Sequence, residues 1–163
     1  MITIKATCTD NRLFTLTKED QLIGQLNYRS LFSTKALLQT SPTEAYLAKS
    51  IGVLQTRIGI FKDKEEVASL HMQGTTALRI RFHETKQEFF FKTKGTLKSK
   101  YHLENDKNEI LMEFEPSFAW KNFKYSYTIS SEKENDVLLV LIGLYGANYF
   151  INLMSGVTAA TFM

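Results

Sequence analysis

The stretch Val137-Leu138-Leu139-Val140-Leu141-Ile142-Gly143-Leu144-Tyr145-Gly146-Ala147-Asn148-Tyr149-Phe150-Ile151-Asn152 decides how the rest of the chain is read, and no charged residue follows Asp136 as far as Met163. A helix apolar on every face is either a membrane span or the buried centre of a globular domain. Its length meets the requirement for crossing a bilayer, about 20 apolar residues. Three local features favour burial instead. Gly143 and Gly146 sit inside it, Asn148 and Asn152 lie four apart on one face, and it fades into a small polar tail, Ser155-Gly156-Val157-Thr158. The flanks agree: Ser131-Glu132-Lys133-Glu134-Asn135-Asp136 is net acidic and no Lys or Arg follows, so the basic anchor of a spanning helix is missing. The expectation is a buried helix over about 137–154, and what surrounds it must come from the preceding residues.

Outward from that helix, the chain from Ile2 to about Ser130 reads as strand after strand, with period-two alternation broken by turn residues. Twelve strands are expected, over 2–8, 13–17, 21–28, 34–40, 44–49, 54–61, 66–72, 77–83, 87–92, 97–104, 109–115 and 122–130. Inside them lies a repeat: residues 44–58 align with 87–101 at a constant offset. The alignment continues with Ile60 over Leu103, Asp63 over Asp106, Lys64 over Lys107, Glu66 over Glu109 and Val67 over Ile110, and no gap is needed. Leu54, Thr56, Ile58 and Ile60 point inward as Leu97, Ser99, Tyr101 and Leu103 do, while Arg57 and Lys100 point outward. Two copies are too few for a solenoid or propeller.

Twelve antiparallel strands split into two sheets or close, and only closure removes exposed edges. A barrel that wide has a lumen that its own side chains do not fill. A helix with side chains is about 10–12 Å across and fits such a hole. The fold expected is therefore mainly β: a closed antiparallel barrel of about twelve strands with the hydrophobic C-terminal helix threading its centre, one domain over 1–163.

Composition narrows the class. Charged residues at 23%, two prolines and abundant aromatics describe an ordered globular chain. The formal charge of +3 permits contact with phosphate or anionic lipid without the dense basic stripe of a nucleic-acid binder. Cys8 is the only cysteine, so no intrachain disulfide forms, and its expected role is that of a small buried apolar residue. The N-terminus alternates like a strand and lacks the plan of a secretory signal; the location expected is cytoplasmic, at the periphery of a membrane.

The plan of twelve strands and a C-terminal apolar helix, with the repeated pattern carried here by Lys92, Gly95, Leu97, Ser99, Tyr101, Leu103 and the Asp106 turn, resembles the Tubby C-terminal-like superfamily. That group includes Tubby proteins, phospholipid scramblases and LURP-one-related proteins, and the likeness is closest to the LURP-one-related and small bacterial members. The resemblance implies a last helix that threads the barrel and a function at phospholipids. No cluster matches the Tubby lipid pocket residue by residue, and the acidic calcium loop and cysteine-rich segment of scramblases are absent. A shared fold hosts unrelated functions, so function must be argued from the site.

No nucleophile elbow, Walker loop, zinc-protease helix or dinucleotide glycine pattern occurs. His71, His83 and His102 fall on separate strands as surface or rim residues, and no metal or cofactor is expected. Asp63-Lys64 and Asp106-Lys107 read as hairpin turns. The residues singled out for binding are Arg79, Arg81, Lys92, Lys94, Lys98 and Lys100, which alternate outward on neighbouring strands and form a cationic wall suited to anionic headgroups. Against this stands a solvated face neutralised by Glu84, Glu88, Glu104 and Glu113. Phe89-Phe90-Phe91 must split between two faces, and Trp120 is either a rim anchor or core. The expectation is a non-enzymatic binding module for anionic phospholipid. The alternatives are a tail-anchored membrane protein with a cytoplasmic β domain, or a protein-interaction domain.

Overall fold

A computed structural model describes the chain except residues 9, 11, 31–32, 53–56, 95–99, 120–123 and 163, and side chains are further left undescribed at 118–119, 124–125 and 153–162. In chain order the elements are β1 Ile2–Cys8, β2 Leu13–Lys18, β3 Gln21–Tyr28, β4 Ala36–Ser41, β5 Glu44–Ile51 and β6 Arg57–Lys62. They continue as β7 Glu65–Gln73, β8 Ala77–Phe82, β9 Glu88–Lys94, β10 Lys100–Asn105, β11 Ile110–Ala119, β12 Lys124–Ser131 and α1 Val137–Phe162. Each strand pairs antiparallel with its neighbours in sequence, and β1 pairs with β12, with Ile4 opposite Ile129, to close the barrel. Period-two alternation is the cause: Ile4, Ala6 and Cys8 are buried on one side of β1, as Phe14 and Leu16 are on β2.

The helix threads the barrel, and its neighbours lie on all sides of it. Val137 and Leu141 approach Gly24 of β3, Gly143 meets Phe114 of β11, and Gly146 meets Phe91 of β9 and Leu78 of β8. Tyr145 stacks on Tyr28 at 5.9 Å and donates its hydroxyl hydrogen to the Thr34 carbonyl at 2.6 Å. Leu138 to Ile142, Leu144, Tyr145, Ala147 and Phe150 are all buried. The two inner glycines are thus close-packing positions. Asn148 is buried rather than wet: it accepts from the Tyr127 hydroxyl at 2.6 Å and donates to the Tyr28 hydroxyl at 3.1 Å, whereas Asn152 is exposed. A buried amide must find such partners, and these two fix the helix in rotation and depth. The helical backbone runs to Phe162, past the expected end near 154. Among the described residues no helix is long and apolar enough to cross a membrane.

The repeat is written into the strand register. Ala48 lies opposite Ile60 as Phe91 lies opposite Leu103, and Lys49 opposite Gly59 as Lys92 lies opposite His102. A register shift falls between Ile60 and Phe61 in one copy and between Leu103 and Glu104 in the other, at aligned positions. The third strand of the second copy departs from the expected alignment. Ala68 faces Ile60, whereas Met112 faces Leu103, so that strand is displaced by one residue and Val67 corresponds to Leu111, not Ile110. The extra residue is taken up in the longer β10–β11 connection, where the side chain of Asn105 receives the backbone N–H groups of Lys107 and Glu109. The inward members Ile58, Ile60, Tyr101 and Leu103 are buried; Leu54, Thr56, Leu97 and Ser99 lie outside the described residues.

Hairpins β2–β3, β4–β5, β6–β7, β8–β9 and β10–β11 all turn at one mouth, and β12 leaves it to feed α1. The lead-in 132–136 crosses that mouth off-centre, held on the β2 side by the Lys18–Glu134 ion pair. It ends in Asp136, whose Oδ1 accepts the Leu138 N–H at 2.8 Å and caps the helix. The β7–β9 side of the mouth is left open.

Candidate functional site

The outward cations of β8, β9 and β10 do form one wall, and carboxylates from adjacent strands stand among them. Arg79 donates from Nε and Nη2 to the two oxygens of Glu88, at 2.7 and 2.6 Å. Lys92 donates to Glu104 at 2.8 Å, Lys94 to Glu113 at 3.3 Å, and Lys100 lies 3.5 Å from Glu115. Arg81, opposite Glu88 in register, has no ion pair among the described residues. Lys98 lies outside them. Of the acids expected to neutralise the wall, Glu88, Glu104 and Glu113 do so; Glu84 instead lines the mouth. His71 sits between Arg57 and Arg79 in register. Burial, then those two guanidiniums, push its pKa below the ordinary histidine value, so it adds no positive charge at neutral pH.

One histidine departs from the surface or rim place expected of all three. His102 faces outward on β10 yet is buried, as is Glu104. Glu104 accepts from Lys92 through one oxygen and from His102 Nε2 through the other, at 2.7 Å. The Lys92 hydrogen bond, with that of His102, holds the Glu104 carboxyl below the ordinary carboxylate range despite its burial. Because an ionised carboxylate only accepts, His102 carries its hydrogen on Nε2. Nδ1, the atom that would take a proton from a substrate, is buried and unpartnered among the described residues. A base needs hydrogen-bond reach to the proton it removes, and this nitrogen is closed off. Among the described residues no group of three or more His, Cys, Asp or Glu could hold a metal ion.

The phenylalanine run divides as alternation demands. Phe91 is wholly buried against Tyr101, Phe114 and Phe150. Phe89 is partly buried and edge-on to Phe82 at 5.9 Å, while Phe90 lies on the outer wall with the Lys92 ammonium 6.0 Å from its ring. No open apolar patch results at Phe90. Trp120 lies outside the described residues.

A concavity lies at the barrel mouth. A cavity of about 930 Å³ opens between the lead-in, the first turn of α1 and the β6–β7 and β8–β9 hairpins. Its floor is apolar, made by Val67, Phe82, Phe89, Leu138 and Leu139. Its rim is charged, with Asp63, Glu65, Glu66, Glu84 and Asp136 facing Lys62 and His83. None of the five described cations singled out from the sequence lines it. The chain matches no family model, no curated protein and no solved structure. The fold and this cavity therefore carry the functional argument alone. Sequence reading passed the cavity by because its residues serve local roles well: Asp63 has φ 56° in a two-residue turn, and Asp136 caps the helix. The available signal was weak, two aromatic residues, Phe82 and Phe89, flanking one polar hairpin.

Proposed function

We propose that the protein is a non-enzymatic binding module whose ligand seats in the cavity at the barrel mouth. One observation carries this reading: the helix buries its side chains from Leu138 to Phe150 in the lumen, yet about 930 Å³ stays open at the mouth, where apolar and charged side chains converge. Ligand pockets are concave and combine apolar surface with placed polar groups. The closed-off His102 Nδ1 and the structural use of Asp136 speak for binding rather than catalysis. The barrel with a threaded helix is also the plan that the likeness to the Tubby-like superfamily implies, which supports membership as a proposal.

A second reading keeps anionic phospholipid headgroups on the β8–β10 wall. Arg81, without an ion pair among the described residues, favours it, and so does the weakness of exposed pairs, about 0–1 kcal/mol each, which a phosphate can displace. The acids interleaved with the other cations count against it. The tail-anchored alternative asks lipid to receive side chains that the barrel already buries, and expression without detergent tests it.

A fragment screen by amide chemical-shift perturbation on the full chain separates the first two readings. Shifts clustering on Val67, Phe89 and Leu139 are expected. Clustering on β8–β10 instead, together with salt-sensitive flotation on phosphatidylserine vesicles abolished by reversing Arg79, Arg81 and Lys100, would transfer the function to the wall.

A further inference from the structure

We infer that the mouth cavity takes an amphiphilic cation, an ammonium group carried on an apolar body. This rests on the cavity reading above and names the ligand's chemistry. The chain as a whole is basic, at +3, yet among the described residues five carboxylates line this one cavity against a single lysine. Two of the five are engaged: Glu66 with Arg57 at 2.5 Å and His83 at 3.4 Å, and Asp136 with the backbone of the first helical turn. Asp63, Glu65 and Glu84 are exposed and have no ion pair among the described residues. Lys64 and Lys86 stand on the same hairpin tips but do not line the cavity.

The lysine that does line it is held by Tyr46 of the lining and by Glu44, which stands outside the lining. Lys62 lies 3.1 Å from Glu44 Oε2 and 5.6 Å from the centre of the Tyr46 ring, held by a carboxylate and an aromatic face together. That pairing is the chemistry by which proteins hold ammonium ligands. Phe82 and Phe89 supply further aromatic surface beside the free acids. A helix N-terminus ordinarily favours anions. Here Asp136 occupies that end and cancels the preference. An anion would meet the carboxylate rim unpaired. A wholly polar cation would leave Val67, Leu138 and Leu139 wet, and a neutral amphiphile would gain no charge attraction from the rim.

Octyltrimethylammonium and octyl glucoside, which carry the same tail, are titrated into the full chain by calorimetry below their micelle concentrations. The cation is expected to bind at least about tenfold more tightly, the scale set by a few partly exposed ion pairs. The triple substitution Asp63→Asn, Glu65→Gln, Glu84→Gln, confined to exposed positions, should remove that preference and bring the two affinities together. Equal affinities in the unmodified protein, or a preference that survives the triple substitution, would overturn the cation assignment while the cavity reading stood. Binding of neither amphiphile at millimolar concentration would overturn both.

Discussion

Gly143 shows how tightly one position is held. A Cβ there would lie 2.4 Å from Phe114 Cζ and 3.1 and 3.2 Å from the two ring carbons beside it. The ring has nowhere to go, since Phe114 is wholly buried and edge-on to Phe91 at 5.4 Å. Gly143→Ala should therefore cost about 1–3 kcal/mol through overpacking, a term larger than the roughly 1 kcal/mol that alanine returns in helix propensity. Gly146 makes the useful contrast, because its nearest neighbour is a Phe91 ring carbon at 3.2 Å, which needs to yield only slightly. Urea denaturation of both variants should show a lowered midpoint for Gly143→Ala and little change for Gly146→Ala. Phe114→Leu should recover part of the loss in the first background, a coupling that a double-mutant cycle measures. Equal effects at the two glycines would remove the packing account.

Among the elements, β10 carries a buried charged group on the outside of a barrel, and its pH response follows from that. Glu104 is held below its ordinary value of 4.5, chiefly by the Lys92 hydrogen bond, so the folded state binds fewer protons there than the unfolded chain. The stability this contributes is present above about pH 4.5 and is lost as pH falls through the lower, folded value. Glu104→Gln should be the less stable protein at neutral pH, since it removes the charge facing Lys92 and replaces one of the two oxygens that accept from Lys92 and His102 with a donor. Between about pH 5 and pH 3 its urea midpoint should fall less steeply than that of the unmodified protein. Parallel pH profiles would remove the assignment. The strand itself was legible from the sequence, because Tyr101 and Leu103 alternate with polar residues, but the burial of His102 and Glu104 was not. Alternation tells which face a side chain takes and is silent on what covers that face. The one-residue displacement of β11 escaped for a related reason: matching residues by class places Val67 over Ile110, and only the hydrogen-bonded register shows Leu111 in that place.

At the scale of the whole molecule, the two largest inferences from sequence, strand number and threaded helix, were legible because each asked for the other. What stayed hidden depends on contacts between distant residues. The neutralised wall needs Lys94 beside Glu113, and the off-centre mouth needs Lys18 beside Glu134, 116 residues away. The same long reach governs folding. Closure joins β1 to β12, and the helix that occupies the lumen follows all twelve strands. Until it docks, Leu26, Leu38, Ile60, Leu78, Phe91 and Phe114 line an unfilled cavity. Its own nine core side chains, Leu138 to Ile142 with Leu144, Tyr145, Ala147 and Phe150, each contribute about 1.5–3 kcal/mol of gross burial for the larger ones, against a net domain stability of about 5–15 kcal/mol. A chain ending at Asp136 should therefore not fold to an open barrel but remain collapsed or aggregated, with the dispersed amide shifts of the full chain lost. Ending the chain at Asn152 instead keeps every one of those side chains together with the Asn148 bonds to Tyr28 and Tyr127, and it should retain the dispersed spectrum. A folded, cooperative barrel from the chain cut at Asp136 would mean that the strands close without a plug, and the physical reason for this architecture would have to be sought in the β wall alone.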